Sequence, residues 1–90
     1  MAVVRIPPAL RSEVAGARQV EAKGQTIGAI LADLTTNYPG LKNQLLSDGE
    51  IAPFVNVYIN NEDVRTLDGL ETPVDDNATI ILLPAMAGGD

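Results

Sequence analysis

Cysteine and histidine are both absent from the 90 residues. Without cysteine there is no disulfide framework, no thiolate chemistry and no zinc–thiolate site. Without histidine the usual general base, the Ser–His and Cys–His pairs and the commonest metal ligand are gone as well. The serine hydroxyls, on Ser12 and Ser47, therefore have no imidazole to activate them. Positive charge is scarce: six Lys and Arg stand against twelve Asp and Glu, for a net charge of −6. That balance argues against a nucleic acid partner, because phosphate binding needs clustered basic side chains. A basic protein surface is the more natural complement. No apolar run approaches the ~18 residues of a membrane span, and Met1–Pro7 holds too short a run for a signal peptide. The expectation is a soluble cytoplasmic protein with no membrane partner and little catalytic equipment of its own.

The acids that abound do not converge in sequence. Glu62-Asp63 and Asp75-Asp76 are adjacent residues in turns, and Asp48 and Glu50 flank Gly49. Carboxylates that do acid–base work must face one another across a pocket, and the ligand series of a calcium hand is missing. They read as solvated turns, with no metal site. No glycine-rich phosphate cradle is present either. Lys23 and Lys42 are isolated, while Arg5, Arg11 and Arg18 fall in one N-terminal stretch and read as ordinary surface.

What is present is enough for one small domain. Hydrophobic residues make 46% of the chain, far from the depleted composition of disorder. Val3-Val4-Arg5-Ile6 reads as a first strand, stopped by Pro7-Pro8. Arg18–Ala22 reads as a weaker second strand, joined to the first by a long loop holding Ser12, Glu13 and Gly16. The period then changes: Ile27, Ile30, Leu31 and Leu34 are spaced for a helix, with Thr26 as N-cap and Pro39-Gly40 as its stop. Gly28 inside that helix costs ~1 kcal/mol relative to Ala, which points to close packing against a sheet. Leu41–Leu46 predicts a further short turn of helix, followed by a Ser47-Asp48-Gly49 turn. Phe54–Ile59 is the strongest strand signal, β-branched and alternating. Asn60–Asp63 is turn chemistry, with Val64-Arg65 returning as a short strand. Leu67–Val74 is irregular, and Thr79–Leu83 is a buried last strand ended by Pro84. The order β-β-α-β-β-β predicts an α+β domain over residues 1–84, a mixed sheet of four to five strands wrapped on one main helix. Residues 85–90 follow as a flexible tail.

That tail carries Gly88-Gly89 directly after the last strand. With no Cβ, two glycines can thread an extended chain through a narrow channel and bring a backbone carboxylate to a nucleotide. The order of elements is that of the ubiquitin β-grasp. Together with Leu82-Leu83-Pro84-Ala85-Met86-Ala87-Gly88-Gly89, it resembles the ubiquitin-like sulfur carrier proteins of molybdopterin, thiamine and cysteine biosynthesis. The run Phe54-Val55-Asn56-Val57-Tyr58-Ile59-Asn60-Asn61-Glu62-Asp63-Val64-Arg65 looks most like the carriers of the cysteine pathway.

The resemblance implies a substrate and sulfur donor, not an enzyme. A ubiquitin-activating-type adenylyltransferase would spend ATP on the Gly89 carboxylate, and a sulfur donor would then leave a thiocarboxylate there. Ala87 and Gly88 would lie in the partner's channel. In the cysteine branch a pyridoxal-phosphate-dependent synthase would accept the sulfur, and a JAMM-type zinc peptidase would release the product. The carrier itself would bind no cofactor. The molybdopterin synthase small subunit and a ubiquitin-like protein modifier are alternative roles for the same tail, and a plain interaction module is a third. One departure from the family pattern matters: the chain continues to Asp90, so Gly89 has no free carboxylate until Asp90 is trimmed, unless Asp90 is foreign to the native end.

Strand alternation also predicts a docking face. If Val55, Val57 and Ile59 meet the helix, then Phe54, Asn56 and Tyr58 point away from it. In the last strand Ile80 and Leu82 would be core, with Ile81 and Leu83 outward. Phe54, Tyr58, Ile81 and Leu83 would form an apolar partner-binding patch, rimmed by Glu62 and Asp63.

Overall fold

The computed structural model describes residues 1–84. Its main sheet has five strands in the order β2-β1-β7-β5-β6. These are β1 (Ala2–Arg5), β2 (Gln19–Ala22), β5 (Val55–Ile59), β6 (Glu62–Asp63) and β7 (Thr79–Pro84), with a small separate hairpin of β3 (Leu46–Ser47) and β4 (Glu50–Ile51). β1 and β7 run parallel at the centre, and every other pairing in the main sheet is antiparallel. One main helix, α1 (Ile27–Asn37), covers one face, and the short α2 (Lys42–Leu45) follows it. This is the β-grasp fold.

α1 forms for the reasons its sequence carries. Thr26 is extended, and its hydroxyl accepts the Ala29 N–H at 3.1 Å, satisfying one of the orphan donors of the first turn. Ile27, Ile30, Leu31 and Leu34 then fall on one stripe, and all four are buried. The helix ends at Asn37 because Tyr38, as the residue before Pro39, is pushed out of helical backbone. Opposite this stripe the inward-facing residues of the sheet, Val4, Val55, Val57, Ile59, Ile80 and Leu82, join the same buried cluster. Each fully buried aliphatic side chain contributes about 1.5–3 kcal/mol.

Two glycines fit α1 closely. At Gly28 a Cβ would lie 3.2 Å from the Leu70 carbonyl oxygen, so the close neighbour is the turn Gly69–Glu71 and not the sheet expected from sequence. That segment is tied to the start of α1, since Ile27 N–H donates to Thr72 O and Val74 N–H to Gln25 O, both at 2.9 Å. Gly24 has φ +156°, and a Cβ there would lie 2.8 Å from both Ala29 Cβ and Ile30 N. Backbone cannot give way as a side chain end can. Gly24→Ala is therefore expected to destabilise the domain by about 1–3 kcal/mol, read as a lowered urea midpoint at unchanged m-value.

Several boundaries differ from the sequence expectation, each for a local reason. The long first loop is not open: Pro8–Val14 winds into a 3₁₀ helix that buries Leu10 and Val14. The Asn60-Asn61 pair has φ +48° and +74°, the tight turn that matches the twist of a hairpin. The return strand therefore starts at Glu62, two residues before the expected Val64-Arg65, which instead begin a 3₁₀ turn capped by the Asp63 carboxylate on Arg65 N–H at 2.9 Å. Pro84 does not precede a break in the last strand but lies within it, opposite Val55. The β3–β4 hairpin, turning at Asp48-Gly49 with φ +54° and +79°, has only two residues a side and no period to read.

Candidate functional site

The sheet face turned away from α1 carries Tyr58, Ile81 and Leu83, three of the four residues expected in the patch, and register shows their placement. Ile81 lies opposite Tyr58 across β7–β5, and Leu83 opposite Asn56. On the other side Ile81 lies opposite Arg5, and Arg5 opposite Gln19. Tyr58 in turn pairs with Asp63. One row thus crosses all five strands as Gln19, Arg5, Ile81, Tyr58 and Asp63. At ~4.8 Å per strand it spans about 19 Å. Tyr58 and Ile81 are half-buried, and Leu83 keeps 43% of its surface exposed two residues nearer the tail.

Phe54 stands apart. It lies in the turn before β5, where Val55 N–H reaches back to Ala52 O at 3.3 Å, so the pleat alternation does not extend to it. It is 50% exposed and borders a separate groove with Leu10, Gln44 and Pro84. The acids divide as well: Asp63 is on the Tyr58 face, while Glu62, opposite Ile59, is on the other.

The residues that sequence reading passed over are the arginines. Arg5, Arg11 and Arg18 line one open groove with Pro7, Pro8, Gln19, Ile81 and Leu83. Arg11 is held at its wall by a 3.1 Å bond from Nε to the Ile6 carbonyl. Arg65 reaches the same face from the β6 side, donating to Asn56 Oδ1 at 2.9 Å and to Ala52 O at 2.7 Å. The signal was present in part, because hairpin pairing of the first two strands sets Arg5 beside Arg18-Gln19. The wound Pro8–Val14 segment that brings Arg11 back to them carried no such signal.

The last described residue, Pro84, ends the central strand at the edge of this face. Ala87, Gly88, Gly89 and Asp90, named above as channel, reactive and trimmed positions, lie outside the described residues, as does the whole tail from residue 85. Among the described residues no group of three or more acids gathers as a metal site, and no helix is long and apolar enough to cross a membrane.

Comparison with known proteins gives the family. The ThiS family matches residues 4–89. The chain belongs to the ThiS family of ubiquitin-like sulfur carriers. The sulfur carrier protein CysO of Mycobacterium tuberculosis is 44% identical over 89 residues, 96% of each chain. A chain in the crystal structure of the Amycolatopsis orientalis BexX/CysO complex superimposes with a TM-score of 0.93 at 43% identity, covering 99% of this chain and 100% of that one. Small archaeal modifier protein 3 of Haloferax volcanii is 42% identical over 64 residues, 71% of this chain and 70% of its own. The ThiS-family match ends at Gly89 and leaves Asp90 beyond it. These relatives are a sulfur carrier and a small modifier protein.

Proposed function

We propose that this chain carries sulfur as a thiocarboxylate on Gly89 and delivers it for cysteine biosynthesis. The observation that carries the reading is the CysO likeness over 96% of the chain, with a family match that stops at Gly89. A peptidase first hydrolyses the Gly89–Asp90 bond and frees the Gly89 carboxylate. A carboxylate oxygen then attacks the α-phosphorus of ATP in the adenylyltransferase, and pyrophosphate leaves. Sulfide attacks the resulting acyl carbon, the bond to AMP breaks, AMP leaves, and Gly89 ends as a thiocarboxylate. In a pyridoxal-phosphate enzyme that sulfur takes the place of the activating group of an activated serine, which leaves, so that cysteine stays joined to the Gly89 acyl group, and a JAMM-type zinc peptidase hydrolyses that link to release it. ATP, pyridoxal phosphate and zinc belong to these partners. The chain's own residues bind, orient and present the tail, and the setting is the cytoplasm.

Docking falls to the outer face beside Pro84. An exposed Leu83, with Tyr58 and Ile81 side by side, gives a partner apolar surface at the root of the tail, where a sheet normally shows polar residues. Tyr58→Ala and Ile81→Asp are each expected to weaken binding to the adenylyltransferase by about tenfold or more, with small changes in stability. Calorimetric titration with the folded variants checks this. Wild-type affinity in both would place docking elsewhere. A second reading, a protein modifier joined through Gly89 to target lysines, is favoured by the likeness to the archaeal modifier. It predicts an isopeptide adduct where the first predicts a thiocarboxylate.

A further inference from the structure

Charge on this molecule is distributed unevenly in a way its total conceals. The chain is −6 overall, yet four of its six cationic side chains, Arg5, Arg11, Arg18 and Arg65, border the outer sheet face. Three of them share one groove with Ile81 and Leu83. Glu13 stands against Gly40 and Glu62 lies on the other face, while Glu21, opposite Val3, and Asp63, which caps Arg65 N–H, share the outer face without lining the groove. From composition alone the partner should be basic. The groove itself is lined by three arginines and no acid.

We infer that the Arg5–Arg11–Arg18 groove receives an acidic, extended segment of the activating partner, with one apolar side chain set on Ile81 and Leu83 and flanking carboxylates on the guanidiniums. This deepens the docking reading above and rests on it. Three features select such an occupant. Planar guanidiniums pair with carboxylates through two parallel hydrogen bonds, and Arg11 is already fixed by Ile6. The floor is apolar, made by Pro7, Pro8, Ile81 and Leu83, which suits a peptide better than a bare phosphate. Screening at physiological salt acts over about 8 Å, so a short segment feels the arginines while a long polyanion also meets the −6 of the whole molecule. The groove then explains how an acidic carrier is oriented: the partner's acids fix the Arg5 side of the face and so aim the strand that leads into the tail.

The test uses the full chain and the adenylyltransferase, with affinities measured at low and high NaCl for wild type, Arg5→Glu/Arg18→Glu and Tyr58→Ala. Arg5 and Arg18 are exposed, so the double reversal should fold normally, which thermal melting verifies. The expected result is a loss of roughly tenfold, mainly in the association rate, with the salt dependence of wild type much reduced. A double reversal that binds like wild type while Tyr58→Ala binds weakly overturns the acidic-segment inference and leaves the docking reading standing. In parallel, NMR titration uses a blocked Glu-Leu-Asp-Glu peptide, its Lys-Leu-Lys-Lys counterpart, and ATP alone. Shifts of the Arg5, Gln19, Ile81 and Leu83 amides with the acidic peptide alone support the inference, even where Tyr58→Ala leaves enzyme binding intact and the docking reading falls. Equal shifts with the basic peptide, shifts with ATP instead, or none with the acidic peptide overturn it.

Discussion

The 90-residue chain should give no ATP–pyrophosphate exchange with its adenylyltransferase, while the same chain ending at Gly89 gives full exchange. The reason is covalent. In the longer chain the Gly89 carbonyl is an amide to Asp90, and no carboxylate oxygen exists there to attack a phosphorus. The carboxyl that ends Asp90 is no substitute. It sits one residue, up to ~3.6 Å, farther along and carries a Cβ and a second negative charge into a channel suited to glycine. Loss should therefore be complete and not graded. Exchange is measured on both chains, with mass spectrometry confirming that the longer one is intact throughout. Equal exchange by untrimmed protein would show that the reactive carboxyl is not that of Gly89.

The second large effect separates two neighbouring leucines. Leu82 has no exposed surface and faces Val57 inside the sheet–helix core, whereas Leu83 is 43% exposed on the outer face. Leu82→Ala leaves a cavity and should cost about 2–5 kcal/mol. That is a large share of the total, since a domain of this size holds roughly 5–13 kcal/mol. Leu83→Ala should change stability by about 0.5 kcal/mol or less, yet weaken partner binding. Urea denaturation of the two variants, paired with titration against the adenylyltransferase, reads both axes. If Leu83→Ala unfolds the domain and Leu82→Ala does not, the faces are reversed.

Legibility followed the length of the pattern. α1 was readable because its cap, its stripe at Ile27, Ile30, Leu31 and Leu34, and its stop at Pro39 all agree. β5 and β7 were readable from alternation, which also separated Val57 and Leu82 from Tyr58 and Ile81. Two-residue strands such as β3, β4 and β6 are too short to show a period, and the position of β6 was decided by left-handed backbone at Asn60 and Asn61. Alternation failed at Phe54 because the ladder had not yet begun. The arginine groove was the least visible feature. Arg11 reaches it only through a 3₁₀ turn, and net charge points to the opposite kind of partner. The tail is the converse case: its chemistry was read wholly from sequence, and residues 85–90 lie outside the described structure.

The most direct test of the carrier role is an intact-mass measurement on the chain ending at Gly89, after incubation with ATP, the adenylyltransferase and sulfide. The account predicts a gain equal to the exchange of one oxygen for one sulfur, confined by fragmentation to Gly89 and absent without ATP. An unchanged mass beside full pyrophosphate exchange, or sulfur placed at any other residue, would contradict it.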